Sequence, residues 1–107
     1  MQISPPTHQD DPIALIGRFD AHEAPAFRAF VAPLLDTSAP LLHFDLSQVA
    51  FIDSTALAEL VQAMKTARTN GGDIVLSKLS VPVRVILELT GLDKALTIAD
   101  QMPGTVS

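Results

Sequence analysis

Strand-like apolar runs alternate with helix-period segments along this chain, and that alternation limits the folds open to it. Residues 12–17 read as a strand ending at a glycine. Phe27, Phe30, Val31, Leu34 and Leu35 then recur at i, i+3, i+4, i+7 and i+8, which makes one apolar helix face. Pro25 suits the first turn of that helix, where a missing N–H costs nothing, whereas Pro33 should kink or shorten its last turn. Residues 41–46 read as the next strand, with Leu42, Phe44 and Leu46 on one side and Leu41, His43 and Asp45 on the other. Residues 47–52 read as a connection whose apolar end tucks under the following helix. That helix is expected over about 54–68, with Leu57, Leu60, Val61, Met64 and Ala67 as its stripe. Asn70-Gly71-Gly72 stops it. Residues 73–77 form another strand. Ser80 and Pro82 open a further helix, with Val85, Ile86 and Leu89 turned inward and Gly91 at its end. Residues 92–96 read as a last helical turn, with edge strands at 97–99 and 1–4.

Strands that alternate with helices imply β-α-β crossovers of right-handed sense. The expected architecture is therefore α/β: a four- to five-stranded, mostly parallel but mixed sheet with about four helices, in the order ββαβαβα. The 107 residues suit one domain spanning 1–107, with a core over about 12–99 and a frayed tail at 100–107.

Composition removes several classes of function. The net charge is −5, and the seven Lys and Arg residues are scattered with no Tyr or Trp among them. Phosphate backbones demand clustered cations, so no nucleic-acid surface is expected. No apolar run approaches the ~18 residues of a membrane span, so no direct membrane insertion is expected. Residues 1–11 show neither the basic nor the apolar region of a signal peptide. With no cysteine, disulfides and thiol chemistry are absent, which is compatible with the cytoplasm. His8, His22 and His43 lack metal-ligand spacing, and Asn70-Gly71-Gly72 lies at a helix end without the lysine of a phosphate loop. No metal, cofactor or catalytic residue is expected, so the chain is not read as an enzyme.

The segment Asp53-Ser54-Thr55-Ala56-Leu57 puts a carboxylate and two hydroxyls at the start of the second long helix. Backbone N–H groups are unpaired there and the helix dipole is positive, conditions that favour a phosphate. A phosphate on Ser54 would add about −1.5 to −2 charge at neutral pH. Each of these residues also has a plainer role. Ser54 can simply cap the helix. Asp53 can cap it, orient the Ser54 hydroxyl or touch a partner. Asp20 can begin the first helix or face a partner. Asp45 is expected to bond backbone groups at its strand's end.

Residues 45–57, Asp45-Leu46-Ser47-Gln48-Val49-Ala50-Phe51-Ile52-Asp53-Ser54-Thr55-Ala56-Leu57, resemble the signature of STAS domains, above all the stand-alone bacterial anti-sigma factor antagonists. Gly17-Arg18-Phe19-Asp20 resembles the family's Gly-x-x-Asp, and Gly71-Gly72 and Gly91-Leu92 match its later breaks. The resemblance covers about residues 12–99. It implies a cytoplasmic partner switch. In that scheme the unphosphorylated protein binds an anti-sigma factor that is also a serine kinase, and so frees the sigma factor. The kinase phosphorylates the serine after the motif aspartate, here Ser54, with Thr55 the next acceptor. A serine phosphatase restores binding. The implied partner-binding residues are Asp20, Asp53, Ser54, Thr55 and Ala56. Two positions depart from the pattern. Ala56 stands where Gly is usual, its methyl in space a docking kinase needs, and Arg18 stands where an acidic residue is common. The alternative is a constitutive STAS scaffold in a lipid-transport ABC system or a stress-signalling assembly. No cluster of Arg or Lys lies near Ser54 in sequence, so direct repulsion of the partner is favoured over internal docking of the phosphate.

Overall fold

The computed structural model describes residues 1–5 and 11–99. Five strands and three α-helices follow in the order β1 (Gln2–Ser4), β2 (Ile13–Phe19), α1 (Ala24–Leu35), β3 (Leu41–Ile52), α2 (Ser54–Thr69), β4 (Asp73–Ser77), α3 (Val81–Thr90) and β5 (Thr97–Ile98). A single 3₁₀ turn, Leu92–Lys94, replaces the expected fourth helix. The strands lie side by side in chain order, with β1 antiparallel to β2 and every other pair parallel. The sequence-expected tail at 100–107 lies outside the described residues.

Three right-handed crossovers that all advance in the same direction put their helices on one face of the sheet. The burial pattern agrees. Ile13, Leu15, Phe19, Leu42, Phe44, Leu46, Ile74 and Leu76 are buried beneath the helices. Ala14, Ile16, Arg18, Leu41, His43 and Asp45, which point the other way, are half-buried or exposed. Phe27 on α1 joins the two layers. Its ring centroid lies 4.9 Å from Phe19 and 5.5 Å from Phe44, in tilted contacts favourable for aromatic pairs.

Three local expectations are corrected. Residues 47–52 are not a connection but the second half of β3. The register explains the misreading: Ala14 pairs with Asp45, Ile16 with Gln48, Gly17 with Val49 and Arg18 with Phe51. The strand β3 thus carries two surplus residues, one near Ser47 and one at Ala50. Each bulge shifts the phase of the strand, so Leu46, Val49 and Ile52 turn inward at intervals of three. Period-two reading breaks down there. The Asp45 carboxylate bonds backbone as expected, but within the strand: Oδ1 accepts from Ser47 N at 2.8 Å, beside the first bulge. Gly17, opposite the bulged stretch, has φ +99, a conformation open to glycine and strained for other residues.

The second correction concerns α3. Val83 and Leu87 are its buried residues, whereas Val85 and Leu89 are exposed and Ile86 only half-buried. This helix is apolar on most sides, so spacing alone did not identify its inner face. Ser80 occupies the N-cap position, but its hydroxyl makes no cap bond. The third is α1, which continues through Pro33 to Leu35 and buries Phe27, Val31 and Leu35, leaving Leu34 exposed.

Candidate functional site: the junction of β2, β3 and α2

The main chains of β2 and β3 end together. Phe19 pairs with Ile52, and Asp53 N donates to Phe19 O at 3.3 Å. The next residues of both strands, Asp20 and Asp53, therefore emerge side by side although 33 positions separate them. Such a strand-end crevice beside a helix N-terminus is where open α/β sheets usually bind.

Asp53 is the N-cap of α2. Its extended backbone lets Oδ1 accept from Ala56 N at 2.9 Å, satisfying one unpaired donor of the first turn. The other oxygen, Oδ2, accepts from Ala21 N at 2.9 Å and ties the β2–α1 segment to the helix start. The Ala56 N–H is the main cause holding the Asp53 carboxyl below its usual range, helped by the Ala21 and Thr55 N–H groups and by the nearby charge of Arg18 against a partial burial cost. The capping role read from the sequence is thus present, and the cross-chain bond adds a second.

Asp20 starts the turn that precedes α1 rather than capping the helix directly. Its Oδ1 accepts from Glu23 N at 3.2 Å, and its carbonyl accepts from Glu23 N and Ala24 N at 3.0 and 2.9 Å. Glu23 occupies the cap position itself, without a side-chain cap bond.

Ser54 and Thr55 are the first two residues of α2, and both are exposed. Among the described residues the Ser54 hydroxyl has no hydrogen-bond partner. Ala56 differs from expectation. Its side chain is completely buried, at 0 % exposure, so the methyl packs into the core instead of facing a partner. The third residue of the helix turns inward because α2 buries Ala56, Leu57 and Leu60 along one face. Of the five partner-binding residues expected, Asp20, Asp53, Ser54 and Thr55 gather at one edge and Ala56 lies beneath them.

Two neighbours were not identified from the sequence as part of this patch. Phe51, expected to tuck inward, is 38 % exposed, because the second bulge turns it outward. Arg18 lies across from it, with its guanidinium carbon 4.2 Å from the Phe51 ring centroid and Nε 3.6 Å from Asp20 Oδ2. No cation is near Ser54 in sequence, but strand register brings one into the same cluster. A pairing of the two Asp-terminated strands would have revealed it.

Among the described residues, no three His, Cys, Asp or Glu side chains gather as a metal set. His43 instead contacts Ser77, with Nε2 to Oγ 2.8 Å, while Ser77 Oγ donates to Phe44 O at 3.3 Å. No described helix is long and apolar enough to cross a membrane.

A small mixed sheet, helices on one side and an exposed serine beside the Asp53 cap at the strand-end edge define a class of α/β domain. The chain belongs to the STAS domain family, whose model matches residues 4–103. It is 30% identical over 97 residues to the anti-sigma-B factor antagonist of Bacillus subtilis, covering 91% of this chain and 88% of that one. To the anti-sigma-B factor antagonist of Listeria monocytogenes it is 31% identical over 86 residues, covering 80% and 75%. Among solved structures, a Thermotoga maritima protein assigned as an anti-sigma factor antagonist superposes with a TM-score of 0.78 at 27% identity, covering 92% and 87%. The anti-sigma factor antagonist SpoIIAA in its unphosphorylated form shares the fold, with a TM-score of 0.73 at 21% identity over 94% and 88% of the two chains.

Proposed function

We propose that this protein is an anti-sigma factor antagonist that works by partner switching in the cytoplasm. Unphosphorylated, it binds an anti-sigma factor that is a serine kinase, and the sigma factor is released. Transfer of a phosphoryl group to Ser54 ends the association, and a serine phosphatase renews it. One observation carries this reading: an exposed hydroxyl without a hydrogen-bond partner among the described residues stands on the first residue of α2, beside the Asp53 cap. A dianion added there would sit next to Asp53 and Asp20, and a partner packed over the patch would have to bury that charge. The names of the Bacillus and Listeria relatives support the class of partner.

The test combines phosphorylation and binding. The wild-type chain, Ser54→Ala and Thr55→Ala are incubated with the cognate kinase and ATP, then mapped by mass spectrometry. Ser54→Ala is expected to stay unmodified and to keep its affinity for the kinase, whereas Ser54→Asp loses at least about tenfold. Phosphate found on the Ser54→Ala chain would remove Ser54 as the acceptor. Undiminished binding by Ser54→Asp would favour a constitutive scaffold instead.

A further inference from the structure

We infer that Arg18 sets partner specificity: its guanidinium receives a carboxylate from the contact surface of the anti-sigma factor. This rests on the partner-binding reading above.

Arg18 leaves β2 on the face that no helix covers, and its side chain is 64% exposed. It is nevertheless held in place. The Phe51 ring supports the guanidinium from below at 4.2 Å, and Asp20 Oδ2 stands 3.6 Å from Nε. Among the described residues its Nη groups have no partner. A planar fork that is already stacked loses less freedom on binding than a free one, and its outward N–H pair matches the two oxygens of a carboxylate.

The surrounding charges make this a selective feature. Asp20 faces Arg18 from the β2–α1 segment and Asp53 from the start of α2, while Glu23 is held by the Met1 ammonium at 3.1 Å and stands 3.8 Å from the exposed His22. Arg18 is the one cationic side chain set against Asp20 and Asp53 among the described residues. A partner complementary to the carboxylates presents donors or cations over most of the patch, and it must present the opposite charge at Arg18. A lysine or arginine in that place would meet a fixed like charge, which is how an interface excludes wrong partners. Phe51 supplies the apolar surface that shields the pair from water.

Calorimetric titration of the full chain with each anti-sigma factor encoded in the same genome tests this. Arg18→Lys is expected to weaken binding a few-fold, Arg18→Gln about tenfold and Arg18→Glu about a hundredfold, with unchanged circular dichroism. Each acidic residue on the partner's contact surface is then changed to Arg. One such change should restore binding to Arg18→Glu while weakening binding to the wild type. Wild-type affinity in Arg18→Glu, or the lack of any rescuing reversal, would overturn the inference. If Arg18 serves instead to hold a phosphate on Ser54, Arg18→Gln leaves the unphosphorylated affinity unchanged, which also overturns it. Ser54→Asp separates this from the parent reading. Loss of binding there together with an inert Arg18 leaves the switch standing and removes only the specificity role. A wild-type chain that binds no anti-sigma factor removes both.

Discussion

The methyl group of Ala56 lies wholly inside the protein while its N–H points back to Asp53. Replacement by glycine removes a buried carbon and adds backbone freedom in the first turn of α2. The first effect is worth about 0.8 kcal/mol and the second up to about 1 kcal/mol. Ala56→Gly should therefore be about 1–2 kcal/mol less stable in urea unfolding, with Ser54 still phosphorylated. Unchanged stability would mean that the methyl is not packed as described. Asp53 illustrates what the sequence tells at this scale. Its cap bond reaches three residues ahead and follows from local chemistry. Its bond to Ala21 N crosses 32 positions and exists only once β2 and β3 are aligned.

At the scale of elements, the turn between α2 and β4 is the least forgiving joint. A Cβ on Gly72 would stand 1.7 Å from Pro40 O, an oxygen that already accepts from Asp73 N at 2.9 Å. Relief would require parting the strands β3 and β4 where their ladder begins. Gly72→Ala should thus cost about 2–4 kcal/mol, read as a lower urea midpoint with an unchanged slope. A loss below 1 kcal/mol would show that the turn can yield. The sequence made the strand and helix order legible because most segments have one apolar face and because Pro5, Asn70 and Gly91 mark the ends of β1, α2 and α3. It left β3 half-read because two bulges spoil alternation after Leu46. It misplaced α3 because Val81, Val85 and Leu89 form a second stripe as regular as the buried one. The serine at the edge was legible from a local motif. Its neighbours Arg18 and Phe51 were not, since pairing across strands, not order along the chain, brings them together.

At the scale of the whole molecule, three carboxylates held below their ordinary values link separate elements among the described residues. Asp53 joins α2 to the β2–α1 segment. Glu59 pairs with Arg28 between α2 and α1. Asp73 Oδ1 accepts from Arg68 Nε at 2.9 Å and Oδ2 from the Thr97 hydroxyl at 2.6 Å, joining β4 to α2 and β5. The Arg28 hydrogen bond keeps Glu59 below its ordinary value. Burial alone would raise Asp73, but Thr97, the Ile74 N–H and Arg68 outweigh it and the net direction is down. All three carboxyls therefore bind protons more weakly folded than unfolded. Stability rises with pH wherever the unfolded chain holds more protons. Their contribution is complete above the unfolded values, about 4, and disappears as pH falls through the lower folded ones. Urea midpoints should accordingly be flat near neutrality and fall below about pH 4.5, with a shallower fall in Asp53→Asn/Glu59→Gln/Asp73→Asn. An equally steep fall in the triple variant would refute this assignment. The surplus residue at Ala50 has a wider consequence. It works as a frame-shift written into a strand: were Ala50 to pair with Arg18 in regular alternation, Phe51 and Ile52 would exchange sides, and the aromatic seat under Arg18 would vanish. Loss of the bulge with its residue retained is thus a route by which descendants of this chain could change whom they answer to while keeping the hydroxyl that tells them when.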